Sequence, residues 1–162
     1  MDKTIIAHDA GEMEEIGIDL ARDLRDGMLV SLIGPLGSGK TTLTKGIAKG
    51  LLVTDIVVSA SYLLERDYCG RLVLHHLDAY RIGSLAEFAE VGLDHLLPPD
   101  EGVTVVEWPE RIEGIVERSD IWVKIDPLER GSRSVEITRR STKPRPPRPR
   151  SAGSGRPRAG SL

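Results

Sequence analysis

Along the chain, apolar and polar positions switch between two periods, and the predicted elements follow from them. Met28 to Ile33 (MLVSLI) is an apolar run of strand length holding only Ser31 as a polar residue, and Val103 to Val106 (VTVV) is a second, with Thr104. Runs of this kind suit strands buried on both faces. Met13, Ile16, Leu20 and Leu24 recur at helical spacing as far as Arg25, with Asp9 as N-cap, Glu12 as its capping-box partner and Gly27 as the stop. Leu43, Ile47 and Leu51 mark one face of a helix over Thr42 to Leu51. Ser84 and Glu87 form a second capping box, opening a helix through Leu85, Phe88 and Val91. Asp94 to Leu97 is one more turn, halted by Pro98-Pro99. Tyr62 to Tyr68 and Arg71 to Leu77 are β-prone runs joined at Cys69-Gly70, which predicts a hairpin. Thr4 to Ile6 reads as a short edge strand and Ile56 to Val58 as a brief one. Ile121 to Ile125 and Ser134 to Thr138 read as closing strands around a polar loop from Asp126 to Arg133. Strands alternating with helices predict an α/β fold, a mostly parallel sheet flanked by helices and carrying an antiparallel hairpin.

Composition adds boundaries. A chain of 162 residues is enough for one domain with a core of its own. No apolar run approaches the ~18 residues of a membrane span, and the N-terminus lacks a signal-peptide core. A lone Cys69 rules out an internal disulfide and fits a reducing cytoplasm. The net charge of -3 hides an asymmetry: residues 141–162 hold six basic residues and no acid, leaving 16 basic against 25 acidic residues in the body. That acidic body argues against nucleic-acid binding over its whole surface. The tail, rich in proline, glycine and arginine, has too little apolar surface to offset its ordering entropy. Residues 1–140 are therefore read as one domain and residues 141–162 as a disordered basic tail. The tail is either merely solvated or a salt-sensitive tether to RNA.

The chemistry centres on Gly34-Pro35-Leu36-Gly37-Ser38-Gly39-Lys40-Thr41, which fits G-x-x-x-x-G-K-[ST] between a predicted strand and a predicted helix. The glycines allow backbone N–H groups to turn onto an anion, and the helix N-terminus adds donors and a positive dipole end. Pro35, Leu36, Gly37, Ser38, Gly39, Lys40, Thr41 and Thr42 are the candidate nucleotide-binding residues. Lys40 would reach the β- and γ-phosphates, and the Thr41 hydroxyl would ligate Mg²⁺. The fold expected is thus P-loop NTPase-like, with residues 1–140 as a P-loop ATPase domain.

Two carboxylates stand where strands would deliver them. Glu107 follows VTVV, the position of an acid that faces bound Mg²⁺, and Asp78 follows LVLHHL. Glu107 is read as serving the metal and Asp78 the attacking water, with the reverse open. Lys40, Asp78 and Glu107 are the candidate catalytic residues; the alternatives are an ordinary strand-end acid for Glu107 and a turn cap for Asp78. The chain contains no Asn and no Gln. A Ras-like water-orienting Gln and an Asn-Lys-x-Asp guanine-reading motif are therefore both impossible. Trp108 is either next to the nucleotide or a core filler, and Arg81 is better suited to an ion pair than to phosphate. Adjacent His75 and His76 point to opposite faces of a strand, which argues against a zinc site with Asp78.

GPLGSGKTTLTKGIAKGL (34–51), HHLDAYRI (75–82), AEVGL (89–93) and VTVVEWPERI (103–112) together resemble the TsaE family of small bacterial ATPases. The likeness covers roughly residues 3–138. The P-loop alone would not select a family; DAYR followed about thirty residues later by a strand-borne EWPE does. The resemblance implies a weak, Mg²⁺-dependent ATPase that works with a TsaB–TsaD pair in making threonylcarbamoyladenosine in tRNA, resetting that pair after transfer. Family members carry Ser-Pro-Thr-Phe after the P-loop helix, where this chain has Ser59-Ala60-Ser61-Tyr62. Ser61 keeps a hydroxyl and joins the candidate nucleotide-binding residues with Trp108, while Ala60 removes the proline's rigidity. Two other functions use the same loop. A small P-loop kinase would need Arg130 and Arg133 as a phosphate-clamping lid, and a nucleotide-switched binding module would need no turnover.

Overall fold

The computed structural model describes residues 2–141; the expectations for the basic tail lie outside them. Seven strands form one sheet: β1 (Lys3–Ala7), β2 (Met28–Ile33), β3 (Glu65–Cys69), β4 (Val73–Asp78), β5 (Val103–Glu107), β6 (Ile121–Pro127) and β7 (Arg133–Arg139), in the order β1-β7-β6-β2-β5-β4-β3. The four central strands β6, β2, β5 and β4 run parallel. Antiparallel pairs close both sides, β1–β7–β6 on one and the β3–β4 hairpin on the other. The expected α/β class, mostly parallel centre and hairpin are all present.

Burial explains the central strands. Every residue of β5 is buried, as are four of the six in β2, as a sheet covered on both faces requires. On one face, α1 (Ala10–Ala21) and α2 (Lys40–Gly50) pack over Val30, Leu32, Val105 and Val123. They approach through glycines: a Cβ on Gly17 would lie 2.4 Å from the Leu43 carbonyl oxygen, and one on Gly46 2.1 Å from that of Glu14. Contacts that short leave no room for any side chain. The other face is covered by Phe88 of α3 (Leu85–Glu90), Leu97, Ile112 and Ile115 of α4 (Ile115–Arg118), against Leu29, Leu77 and Val106.

Local expectations hold with shifts that have physical causes. Asp9 and Ser84 cap α1 and α3 by accepting from the Glu12 and Glu87 N–H groups at 2.9 and 3.2 Å. The returning carboxylates bind one residue upstream of the cap, Glu12 to the His8 N–H and Glu87 to the Gly83 N–H. α1 ends at Ala21 rather than Arg25, because the N–H groups of Arg22, Asp23 and Leu24 each bond three residues back and tighten the chain. Ile56 to Val58 is not a strand. Ile56 is exposed, Val57 is buried, and the Val58 N–H donates to the Tyr68 hydroxyl at 3.1 Å instead of to a ladder. The hairpin starts at Glu65, since Ala60–Tyr62 makes a 3-10 turn. β6 and β7 run further than expected and shorten the polar loop to residues 128–132.

One face of the hairpin concentrates charge. Asp67 lies across from His75, with Oδ1 2.5 Å from Nδ1, and Glu65 stands two residues along the same strand. Burial, then the neighbouring Asp67, pushes the Glu65 carboxyl up to about 7 from the usual 4.5, against the pull of His75. A carboxyl whose folded pKa is raised stabilises the fold in its protonated form. That contribution is complete below the unfolded value and is lost as pH rises towards 7. The group is half-buried, and discounting for solvent screening leaves roughly 1 kcal/mol. Glu65→Gln is therefore expected to raise Tm at pH 8 by roughly 2–4 °C and to leave it unchanged at pH 4.5. Equal shifts at both pH values would show that ionisation of Glu65 is not the cause.

Candidate nucleotide-binding site

The P-loop joins the C-terminal end of β2 to α2, beside the C-terminal ends of β5 and β4. This is the edge of a parallel sheet at which ligands bind. Gly37 and Gly39 hold φ of 74° and 108°, a region in which a Cβ is strained. Gly39 sits at the N-cap of α2 without a side-chain cap, so the first N–H groups of the helix lack intrahelical acceptors. A cavity of about 280 Å³ opens here, lined by residues 36–42, Ser59, Ser61, Glu107, Trp108 and Arg133. A larger concavity of about 540 Å³, between Arg25, Asp120 and Arg140, lies at the opposite ends of the strands and lacks a phosphate-binding loop.

Lys40 is folded back on its own loop. Its ammonium donates to the Gly34 and Pro35 carbonyls at 2.7 and 3.0 Å and lies 4.0 Å from the centre of the Trp108 ring. Burial lowers its pKa, against the attraction of Glu107, Glu110 and Asp78. A cation held by weak acceptors and a ring is readily given a stronger, anionic partner. The Ser38 hydroxyl is buried and has no partner among the described residues.

Glu107 closes the cavity from β5. Its Oε1 accepts from the Thr41 hydroxyl at 3.2 Å and faces His76 Nε2 at 2.8 Å. Asp78 is its partner in the β4–β5 register, and both acids are buried, at 3 % and 4 % exposure. Asp78 Oδ1 accepts from the Tyr80 N–H at 2.8 Å, the turn-capping geometry, and Asp78 is not among the residues lining the cavity, nor is Pro35.

Trp108 fills the core on the face that holds Leu77 and Phe88 and also lines the cavity. Its backbone takes φ 59°, and its ring meets Tyr80 edge-on at 5.1 Å. Ser59 caps the 3-10 turn by accepting from the Ser61 N–H, and the two hydroxyls lie 2.6 Å apart at the cavity wall. The two arginines of the late loop part company. Arg133 donates from Nε to the Ser38 carbonyl at 3.1 Å, tying β7 to the P-loop, whereas Arg130 is exposed and away from the cavity. Arg81 is exposed and has no ion pair among the described residues.

His76 was not singled out for this site by the sequence. The available signal was strand alternation, which puts His76 and Asp78 on the same face of β4. The contact with Glu107 needed the register between strands.

Residues 7–135 match the family model described as threonylcarbamoyl adenosine biosynthesis protein TsaE. The chain belongs to the TsaE family. The resemblance carried by the P-loop, DAYR and EWPE is thereby borne out. The TsaE-named protein of Treponema pallidum is 32% identical over 132 residues, covering 82% of this chain and 97% of its own length. That of Streptomyces coelicolor is 43% identical over 110 residues, covering 65% and 73%. The crystal structure of Bacillus subtilis YdiB superposes with a TM-score of 0.68 at 28% identity, covering 86% of each chain. All four P-loop, DAYR, AEVGL and EWPE segments fall inside the TsaE match.

Proposed function

We propose that this TsaE-family chain binds Mg·ATP in the P-loop cavity, hydrolyses it weakly alone, and does so faster with a TsaB–TsaD pair. Its role is to allow repeated turnover in tRNA threonylcarbamoyladenosine synthesis. The observation that carries this is one cavity uniting the Lys40 ammonium, the Thr41 hydroxyl and the Glu107 carboxylate in a chain of this family. The Thr41 hydroxyl and the Glu107 carboxylate, hydrogen-bonded at 3.2 Å through Oε1, together offer oxygen ligands, one of them anionic, that fit a hard cation such as Mg²⁺. Thr41 and Glu107 would hold the ion, and bound there it would neutralise charge on the phosphate oxygens. Lys40 then exchanges the Gly34 and Pro35 carbonyls for phosphate, leaving Trp108 at the mouth. Asp78, beside Glu107 in the register, is the candidate for orienting water.

A kinase lid has less support. Arg130 stands away from the cavity, and Arg133 is bonded to the P-loop backbone. No helix among the described residues is long and apolar enough to cross a membrane, and we place the protein in the cytoplasm with its tRNA-modifying partners. Contact with tRNA itself would be made through them or through the basic tail.

The test is ATP hydrolysis by the purified chain alone, with each partner protein, and with both. A low rate alone and a rise of at least ~10-fold with both partners are expected, the span of a positioned catalytic group being ~10²-fold or more. A rate unchanged by the pair would remove the partner-dependent part of the proposal.

A further inference from the structure

His76 is fully buried, yet one of its two ring nitrogens has no partner. Nε2 faces Glu107 Oε1 at 2.8 Å, and Nδ1 is without a hydrogen bond among the described residues. A carboxylate oxygen accepts, so Nε2 carries the proton and donates. Nδ1 is then left buried and unsatisfied, a burden that an aliphatic side chain would avoid. The gain has to lie on the other nitrogen. There, Oε1 of Glu107 receives two donors, the His76 N–H and the Thr41 hydroxyl at 3.2 Å, while Oε2 has no protein donor among the described residues. A hydroxyl that donates its O–H to Oε1 keeps its lone pairs for a cation.

We infer that His76 is a positioning residue for the metal. By holding Glu107 Oε1 beside Thr41, it keeps the Thr41 O–H aimed at Glu107 and leaves the Thr41 lone pairs and Glu107 Oε2 for Mg²⁺. The inference rests on the proposed Mg·ATP site and deepens it. His76 touches neither nucleotide nor metal and acts through Glu107. Outer partners of this kind typically alter metal affinity by ~10–100-fold.

Two substitutions separate the donor from mere bulk. In His76→Gln the side-chain NH₂ reaches the place of Nε2, and in His76→Asn it reaches only that of Nδ1. ATP affinity of the full chain is measured calorimetrically with Mg²⁺ and with EDTA, with Tm as the folding control. The expected result is unchanged affinity in EDTA for both variants. The gain in affinity on adding Mg²⁺ should fall at least ~10-fold in His76→Asn and be largely kept in His76→Gln. Variants that behave alike, or a loss in His76→Asn that is equal in EDTA, would overturn the inference. A wild-type chain whose ATP affinity ignores Mg²⁺ would overturn the metal site with it, which distinguishes the two failures. If His76→Asn does not fold, the wild-type ring N–H resonance of His76 decides. It should shift when Mg·ATP is added and not when ATP is added in EDTA, and an unmoved resonance overturns the inference.

Discussion

Replacing Lys40 with Ala is expected to lower Mg·ATP affinity by ~10–100-fold, as loss of a charge-assisted hydrogen bond worth about 1.5–3 kcal/mol implies. The ammonium is buried, its pKa is lowered by that burial, and its present partners are two carbonyls and an indole ring. None of these matches a phosphate oxygen, so binding of the nucleotide should strengthen its interactions. Folding should respond differently. Without Lys40 a buried charge is relieved while the Gly34 and Pro35 carbonyls lose a donor, and these effects oppose one another. The expected signature is thus a large loss of affinity with little change in Tm, read by calorimetric titration and thermal unfolding. An affinity for Mg·ATP equal to that of the unmodified chain would show that the P-loop lysine does not meet the phosphates.

The second large effect belongs to the paired acids. Glu107→Gln should reduce partner-dependent hydrolysis by at least ~10²-fold, or roughly 2.7 kcal/mol of barrier. The amide oxygen can still accept from Thr41 and His76, so the local geometry survives. What disappears is the anionic charge, replaced by an NH₂ that repels a cation. Mg·ATP should still bind through the P-loop, with a weakened dependence on the metal. Asp78→Asn keeps an oxygen for the Tyr80 N–H and should fold normally. Its hydrolysis should fall at least as far while binding changes less, because orienting water matters mainly in the transition state. Turnover in the partner complex and equilibrium binding with and without Mg²⁺ read the two variants. If Asp78→Asn loses the metal dependence and Glu107→Gln keeps it, the roles are reversed. If both hydrolyse normally with all partners present, neither acid is catalytic.

The strands β2 and β5 were legible because each is a largely apolar run ending at a residue of different chemistry, Gly34 or Glu107. A strand buried on both faces has no other pattern to show. The P-loop was legible because glycine spacing, Lys40 and Thr41 are contiguous in sequence. Less visible was everything decided between segments. Ile56 to Val58 has the composition of a strand, but it joins no ladder, and the Val58 N–H goes to the Tyr68 hydroxyl instead. The return bonds from Glu12 and Glu87 landed a residue upstream because cap geometry is set by local torsions, not by residue type. Arg133 reached the P-loop from 95 residues away, and His76 reached Glu107 across two strands. Neither contact is written in local spacing. Asp78 and Glu107 read as strand-end acids from the sequence; that their strands are neighbours is set by the register, and only Glu107 opens on the cavity.

The central claim, that this cavity takes ATP together with a divalent cation, is tested most directly by titrating ATP into the full chain with Mg²⁺ and with EDTA, with GTP as competitor. One ATP per chain, bound more tightly with Mg²⁺ and not displaced by an equal concentration of GTP, is the predicted result. Absence of binding at millimolar ATP, or an affinity indifferent to Mg²⁺, would contradict it.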